Sequence, residues 1–286
     1  MKKILSEVIA FVRFPNDERI DNWSLRKNLK YLFSIFVFEL ALNVLLVFPI
    51  LYFLNKIEPL IVEEEIDYKN NTLLGTLIIT GVLVPIVEEF IFRYLLRYNK
   101  VFSFFVNRGK WNMYFKYLVY LSILIFGFIH SSNYSNESVL FYLFLPVIVA
   151  TQLIGGVFLT FLRVRFNMLT SISSHILWNV SLTLLPLLIV FFEKPYFKSL
   201  EDYSVQIEYV NYNKKDNQVF EIDSLGSKIY NIDIKEYSIN HILDSLNGYK
   251  RNKEDYLINI KLSSKKGVSL KDVESVLLDY AQSELD

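Results

Sequence analysis

The sequence predicts an all-α polytopic membrane helix bundle, plus a small C-terminal α+β soluble domain. Three observations carry that reading. Of the 286 residues 52% are hydrophobic, and they are concentrated before about position 192. There, uncharged or nearly uncharged runs of roughly 18 residues or more recur, which soluble domains rarely contain. Beyond that point the pattern changes to alternation at period two, mixed with amphipathic helical stretches. Net charge is zero, so nothing points to a nucleic-acid partner. Cysteine is absent, which excludes disulfides, thiolate metal sites and a thiol nucleophile.

Residues 1–30 read as a cytoplasmic N-terminal segment, too polar and too short in its apolar run for a cleaved signal peptide. Residues 31–192 read as the membrane domain, with five candidate spans. These are Tyr31 to Leu54, Thr72 to Leu96, Tyr114 to Ser131, Val139 to Phe161 and Met168 to Phe192. Each is long enough to cross roughly 30 Å of hydrocarbon. The fourth contains Gly155 and Gly156, where a break into two shorter helices is expected. Lys2, Lys3, Arg13, Arg19, Arg26, Lys27 and Lys30 precede the first span. Arg97, Lys100, Arg108 and Lys110 follow the second, and Arg163 and Arg165 follow the fourth. The loops after the first and third spans are acidic or neutral. The positive-inside rule then places the N-terminus in the cytoplasm of a multi-pass cell-membrane protein and the C-terminus outside. Residues 193–286 form the extracytoplasmic α+β domain. Its strands are expected at "YSVQIEYV", "KIYNIDIKEYSI" and "YLINIKLS". Its helices are expected at "INHILDSLNGY" and "SLKDVESVLLDYAQSEL", the second capped by Ser269 and Asp272.

The spans carry ionisable groups, which cost a few kcal/mol each in lipid and therefore usually have a task. The second span has Glu88, Glu89 and Arg93; the third ends on His130; the fifth holds His175 and Asn179. Glu89 and Arg93 are i, i+4, the favourable order for a helical ion pair. Glu88 is turned about 100° from Glu89, so it is left available. His175 and Asn179 share a helix face, where two hydrogen-bond donors suit a carbonyl oxygen or an oxyanion.

Two chemistries fit one carboxylate and two histidines on three helices. In one, Glu88 and His130 activate a water while His175 and Asn179 stabilise the oxyanion. In the other, Glu88, His130 and His175 hold a divalent metal such as Zn, which activates the water. Any one of these groups is as readily a helix-packing contact. Four such contacts coinciding are harder to accept. Glu39 and Asn43 in the first span, the Glu89–Arg93 pair, and Ser173 and Ser174 read as packing; His241 reads as a surface residue. No Gly-x-Ser-x-Gly, His-Glu-x-x-His or Gly-x-Gly-Asp stretch is present.

At these residues the chain resembles the CPBP family, the CAAX proteases and bacteriocin-processing enzymes also called Abi proteins. Its three motifs stand here as "EEFIFR" (Glu88 to Arg93), "FGFIH" (Phe126 to His130) and "HILWN" (His175 to Asn179), in order on predicted membrane helices. The similarity covers about Leu73 to Leu185. The resemblance implies an intramembrane endopeptidase, a hydrolase described in the family both as a metalloendopeptidase and as a glutamate-dependent protease. It implies Glu88 as water-activating base helped by His130, His175 and Asn179 as oxyanion donors, and Glu89 with Arg93 in support. It implies a membrane-associated peptide or protein substrate; in eukaryotic members that is a prenylated CAAX protein cut after the modified cysteine. Two other functions fit the same residues: a non-catalytic immunity or scaffold protein of this fold, and a transporter with a proton or ion relay. Peptide cleavage separates the first from both.

Overall fold

The structure, a computed structural model, describes residues 2–20, 24–63, 72–213, 217–246 and 255–283. Among them, five helical stretches are long and apolar enough to cross a membrane: Leu25–Ile57, Leu73–Arg93, Arg108–Asn133, Val139–Arg165 and Met168–Phe192. The first and third begin earlier than hydropathy suggests. Ser24 accepts from the amide of Lys27, and Asn107 from that of Lys110. A helix starts where a side chain can satisfy its orphan N–H groups, even if that places Lys and Arg in its first turns.

The chain divides into two compact units, Met1–Glu65 with Ile78–Ser181, and Ile66–Leu77 with Leu182–Asp286. The first unit opens with α1 (Lys2–Arg13), which buries Ile4, Val8 and Phe11 along one face. The first span is α2 (Leu25–Leu42), a π-helical segment Asn43–Val47, and α3 (Phe48–Ile57). The second is α4 (Leu73–Thr76), a π-helical segment Leu77–Leu83, and α5 (Val84–Arg93). Each wide turn runs into a proline, Pro49 or Pro85. Proline has no N–H and crowds the carbonyl a turn back, so the helix locally changes register. A short α6 (Lys100–Phe105) leads to α7 (Arg108–Ile129), which tightens into a 3-10 turn at His130–Asn133.

The fourth span does break, but at Val149, between α8 (Val139–Ile148) and α9 (Ala150–Arg165). Pro146 inside α8 withholds a donor just before that point. Gly155 and Gly156 instead lie buried within α9 as close-approach positions. A Cβ on Gly155 would stand 2.9 Å from Glu39 Oε1, and one on Gly156 3.2 Å from Phe126 Cδ1. Small residues at such contacts let membrane helices approach. Asn43, fully buried, accepts from Thr151 Oγ1 at 2.7 Å, so the polar groups of the first span make helix-packing contacts to α9. The last span is α10 (Met168–Phe192). One apolar cluster joins α1, α2, α7 and α9 through Phe11, Tyr31, Ile35, Phe115, Val119 and Phe161.

In the second unit, a five-stranded antiparallel sheet has the order β1-β2-β5-β4-β3. The strands are β1 (Tyr196–Ser199), β2 (Tyr203–Val210), β3 (Val219–Leu225), β4 (Lys228–Ser238) and β5 (Leu257–Ser269). Two helices, α11 (Ile239–Ser245) and α12 (Leu270–Ser283), complete its core. Ile242, Leu243, Val276 and Leu277 share one cluster with Ile207, Ile234 and Ile260 of the strands. Ser269 caps α12 by accepting from the Asp272 amide at 3.2 Å. Edge strands β1 and β3 are not apparent from the sequence. The first has only four residues, and a bulge between Asp223 and Ser224 breaks the alternation of the second.

Candidate active site

Five of the six residues singled out in the sequence converge on one place in the first unit; Asn179 is tied to the helix that carries three of them. Glu89 and Arg93, one turn apart on α5, are both fully buried and bonded at 2.9 Å. Glu89 is saturated. Its Oε1 accepts from Arg93 Nη1 and from His175 Nδ1 at 3.1 Å, and its Oε2 accepts from Ser171 Oγ. Ser171 is a residue that sequence reasoning missed. It precedes His175 by four positions and Asn179 by eight, so a search for small polar residues at helical spacing would have found it.

Glu88 points another way and remains 21% exposed. Two imidazoles face it. His130 Nε2 lies 3.8 Å from its Oε1, and His175 Nε2 lies 3.4 Å from its Oε2. The opposite ring nitrogens are occupied: His130 Nδ1 sits 2.7 Å from the carbonyl of Phe126, and His175 Nδ1 faces Glu89. A carbonyl only accepts, so His130 carries its proton on Nδ1 and in its neutral form offers a lone pair from Nε2. Two acceptors, Glu88 Oε1 and His130 Nε2, thus face each other across a gap too long for a direct hydrogen bond.

Phe126, the first residue of "FGFIH", organises this cluster. The guanidinium of Arg93 lies 3.7 Å from its ring centroid. Edge-to-face contacts join it to His130 at 5.0 Å and His175 at 5.8 Å. Among the described residues, Arg93 Nε and Nη2 are buried without hydrogen-bond partners, so the ring face supplies much of what the rest of the guanidinium meets. The end of α5 is held from outside. Ser122 Oγ donates to the carbonyl of Phe92 at 2.7 Å, and Arg163 Nε donates to that of Arg93 at 3.0 Å.

Asn179 donates from Nδ2 to the carbonyl of Thr80 at 2.9 Å. Thr80 lies in the π-helical turn five residues before Pro85, which has no N–H to return to it. At least one amide bond of Asn179 therefore ties α10 to the segment ahead of the two glutamates.

The donor types Glu88, His130 and His175, with both Nδ1 atoms held by acceptors, match the chemistry of a metal site. Among the described residues, however, no group of three or more His, Asp or Glu side chains is placed to hold a metal ion. The short contacts of Glu88 to each ring do not close into one such group.

Fold and site define a helical, multi-pass membrane protein with a carboxylate–histidine cluster among its spans. Residues 70–181 match the family described as type II CAAX prenyl endopeptidase Rce1-like, in agreement with the CPBP family to which the motifs point. The matched segment contains all three motifs. No curated protein and no solved structure matches the chain.

Proposed function

We propose that the chain is an intramembrane endopeptidase, hydrolysing peptide bonds of membrane-associated or lipidated protein or peptide substrates. The observation that carries this reading is the pair of imidazole Nε2 atoms at 3.8 and 3.4 Å from the two oxygens of Glu88. A water between Glu88 Oε1 and His130 Nε2 donates one O–H to each, which leaves its oxygen free to attack. Glu88 takes the proton as the water oxygen bonds to the scissile carbonyl carbon. His175, whose two ring nitrogens face the carboxylates of Glu89 and Glu88, stabilises the oxyanion with its Nε2–H, while Asn179, one turn further on, holds the segment ahead of Glu88. When the C–N bond breaks, the proton held by Glu88 passes to the leaving amine, and the site is restored. Glu89 and Arg93 keep the geometry.

The test is hydrolysis of a peptide library, with and without a prenylated cysteine, by purified protein in detergent. Wild-type cleavage lost in Glu88→Gln supports the reading. Cleavage lost to a chelator and restored by Zn would assign the water to a metal instead. Absence of cleavage for every peptide, with the protein intact, would favour the non-catalytic membrane protein.

A further inference from the structure

The N-terminal segment, outside the matched region, buries a carboxylate. Asp17 is buried, its side chain 1% exposed, at one end of the bundle. Its carboxylate accepts from Arg97 Nη1 at 3.0 Å, the Tyr98 amide at 3.1 Å, Arg108 Nη1 at 3.2 Å and Trp111 Nε1 at 3.1 Å. Oδ1 takes the first of these bonds and Oδ2 the other three. Two of them follow α5 and two lie in the first turn of α7.

We propose that Asp17 is a positioning residue for the hydrolysis proposed above: the arginine bonds that converge on it set where the helix bearing Glu88 and Glu89 ends. The proposal rests on that enzymatic reading. Arg97 uses its other nitrogen on the end of α9, donating from Nη2 to Val164 O at 2.5 Å. Arg163 returns the connection, donating from Nε to Arg93 O at 3.0 Å and from Nη2 to Tyr94 O at 3.3 Å. The last carbonyls of a helix lack intrahelical donors; here the Leu96 amide and Arg163 share that of Arg93, and Arg163 reaches that of Tyr94. The segment around Asp17 is fastened in turn. Arg165 Nη1 donates to Asn16 Oδ1 and to Glu18 O, both at 2.6 Å, and the Ile20 amide donates to Arg165 O at 3.0 Å. The end of α5 is therefore held by α9 directly, and the turn that follows it by Asp17 through Arg97 and Tyr98. The helix ends on Arg93, the partner of Glu89, and Glu88 lies about 7.5 Å along the axis from it. Displacing a reacting group by about 1 Å can cost about 10²-fold in rate.

The chain has no cysteine, so pairs of spin labels can be placed without background. One pair at the exposed Val87 and Leu121 reports on α5 against α7; a control pair at Leu45 and Leu121 reports on the first span. In Asp17→Asn, which keeps the shape and removes the charge, kcat is expected to fall by roughly 10-fold to 10²-fold with KM near wild type. The Val87–Leu121 distances are expected to shift or broaden while the control pair stays as in wild type. Asp17→Glu should recover part of both. Unchanged kcat, a loss of kcat with neither distance altered, or equal broadening of both pairs would overturn the proposal. If Asp17→Asn does not fold, Arg97→Lys, which keeps charge and loses the fork, is read in the same way. If the wild-type protein cleaves nothing, the enzymatic reading fails, while the label distances still decide whether Asp17 positions α5.

Discussion

Glu88 and Glu89 are adjacent in sequence, yet a single helical step separates their environments. Glu89 has no exposed surface and three donors, from Arg93, His175 and Ser171. Removing its charge strands Arg93, whose Nε and Nη2 already lack partners among the described residues. Glu89→Gln should therefore cost about 3–5 kcal/mol, seen as low yield or a large drop in Tm in detergent. Glu88 is partly exposed and faces the two Nε2 atoms. Glu88→Gln should melt normally or at a higher temperature while cleavage falls by about 10²–10⁴-fold, the contribution of a general base. A well-folded, inactive Glu89→Gln beside an active Glu88→Gln would reverse the two roles. Phe126 gives a second prediction. Leucine keeps most of the volume but not the ring face under Arg93, so Phe126→Leu should lower stability by about 2 kcal/mol. Unfolding titrations that match wild type would show that the ring contributes only bulk.

At the scale of elements, the site depends on how closely α7 and α9 approach. A Cβ on Gly127 would overlap both Cδ2 and Cγ of Leu153, and Cγ is displaced only by a change in χ1, not by turning the end of the side chain. Gly127→Ala is expected to cost about 1–3 kcal/mol by overpacking. Because Gly127 stands between Phe126 and His130 on one helix, activity should fall as well. Gly109, near the start of the same helix, is the contrast. Its nearest neighbour to an added Cβ is Asn107 Oδ1 at 3.4 Å, an ordinary contact. Gly109→Ala should stabilise by about 0.4–1 kcal/mol by restricting the unfolded chain. Opposite signs for the two substitutions in one thermal-melt series would support this packing; equal signs would contradict it.

For the whole molecule, the charge distribution makes one strong claim. Lys and Arg crowd the loops before the first span and after the second and fourth. With five spans, a reporter active only in the cytoplasm should be silent when fused after Asp286 and active when fused at the N-terminus. Activity at both ends would require a span beyond the five of the described residues, and activity at the C-terminus alone would reverse the orientation.

Most of the helical architecture was legible because lipid demands long apolar stretches, and such stretches leave a mark that single residues cannot hide. The expected strands at 203–210, 228–239 and 256–263 correspond to β2, β4 and β5, since a half-buried sheet writes its period directly into the chain. The motif residues were legible for a related reason: a carboxylate or imidazole within an apolar run is conspicuous. What the sequence left open depends on partners distant along the chain. The break at Val149 instead of Gly155, the bond from Ser171 to Glu89, the four bonds to Asp17 from donors some 80 to 94 positions away, and the tie of Asn179 to Thr80 all belong to this group. None has a local period or composition. Each is decided only when separate helices pack, because a buried polar group takes whichever partner the packing brings within hydrogen-bond reach, and leaving it unpaired costs more than any local preference supplies.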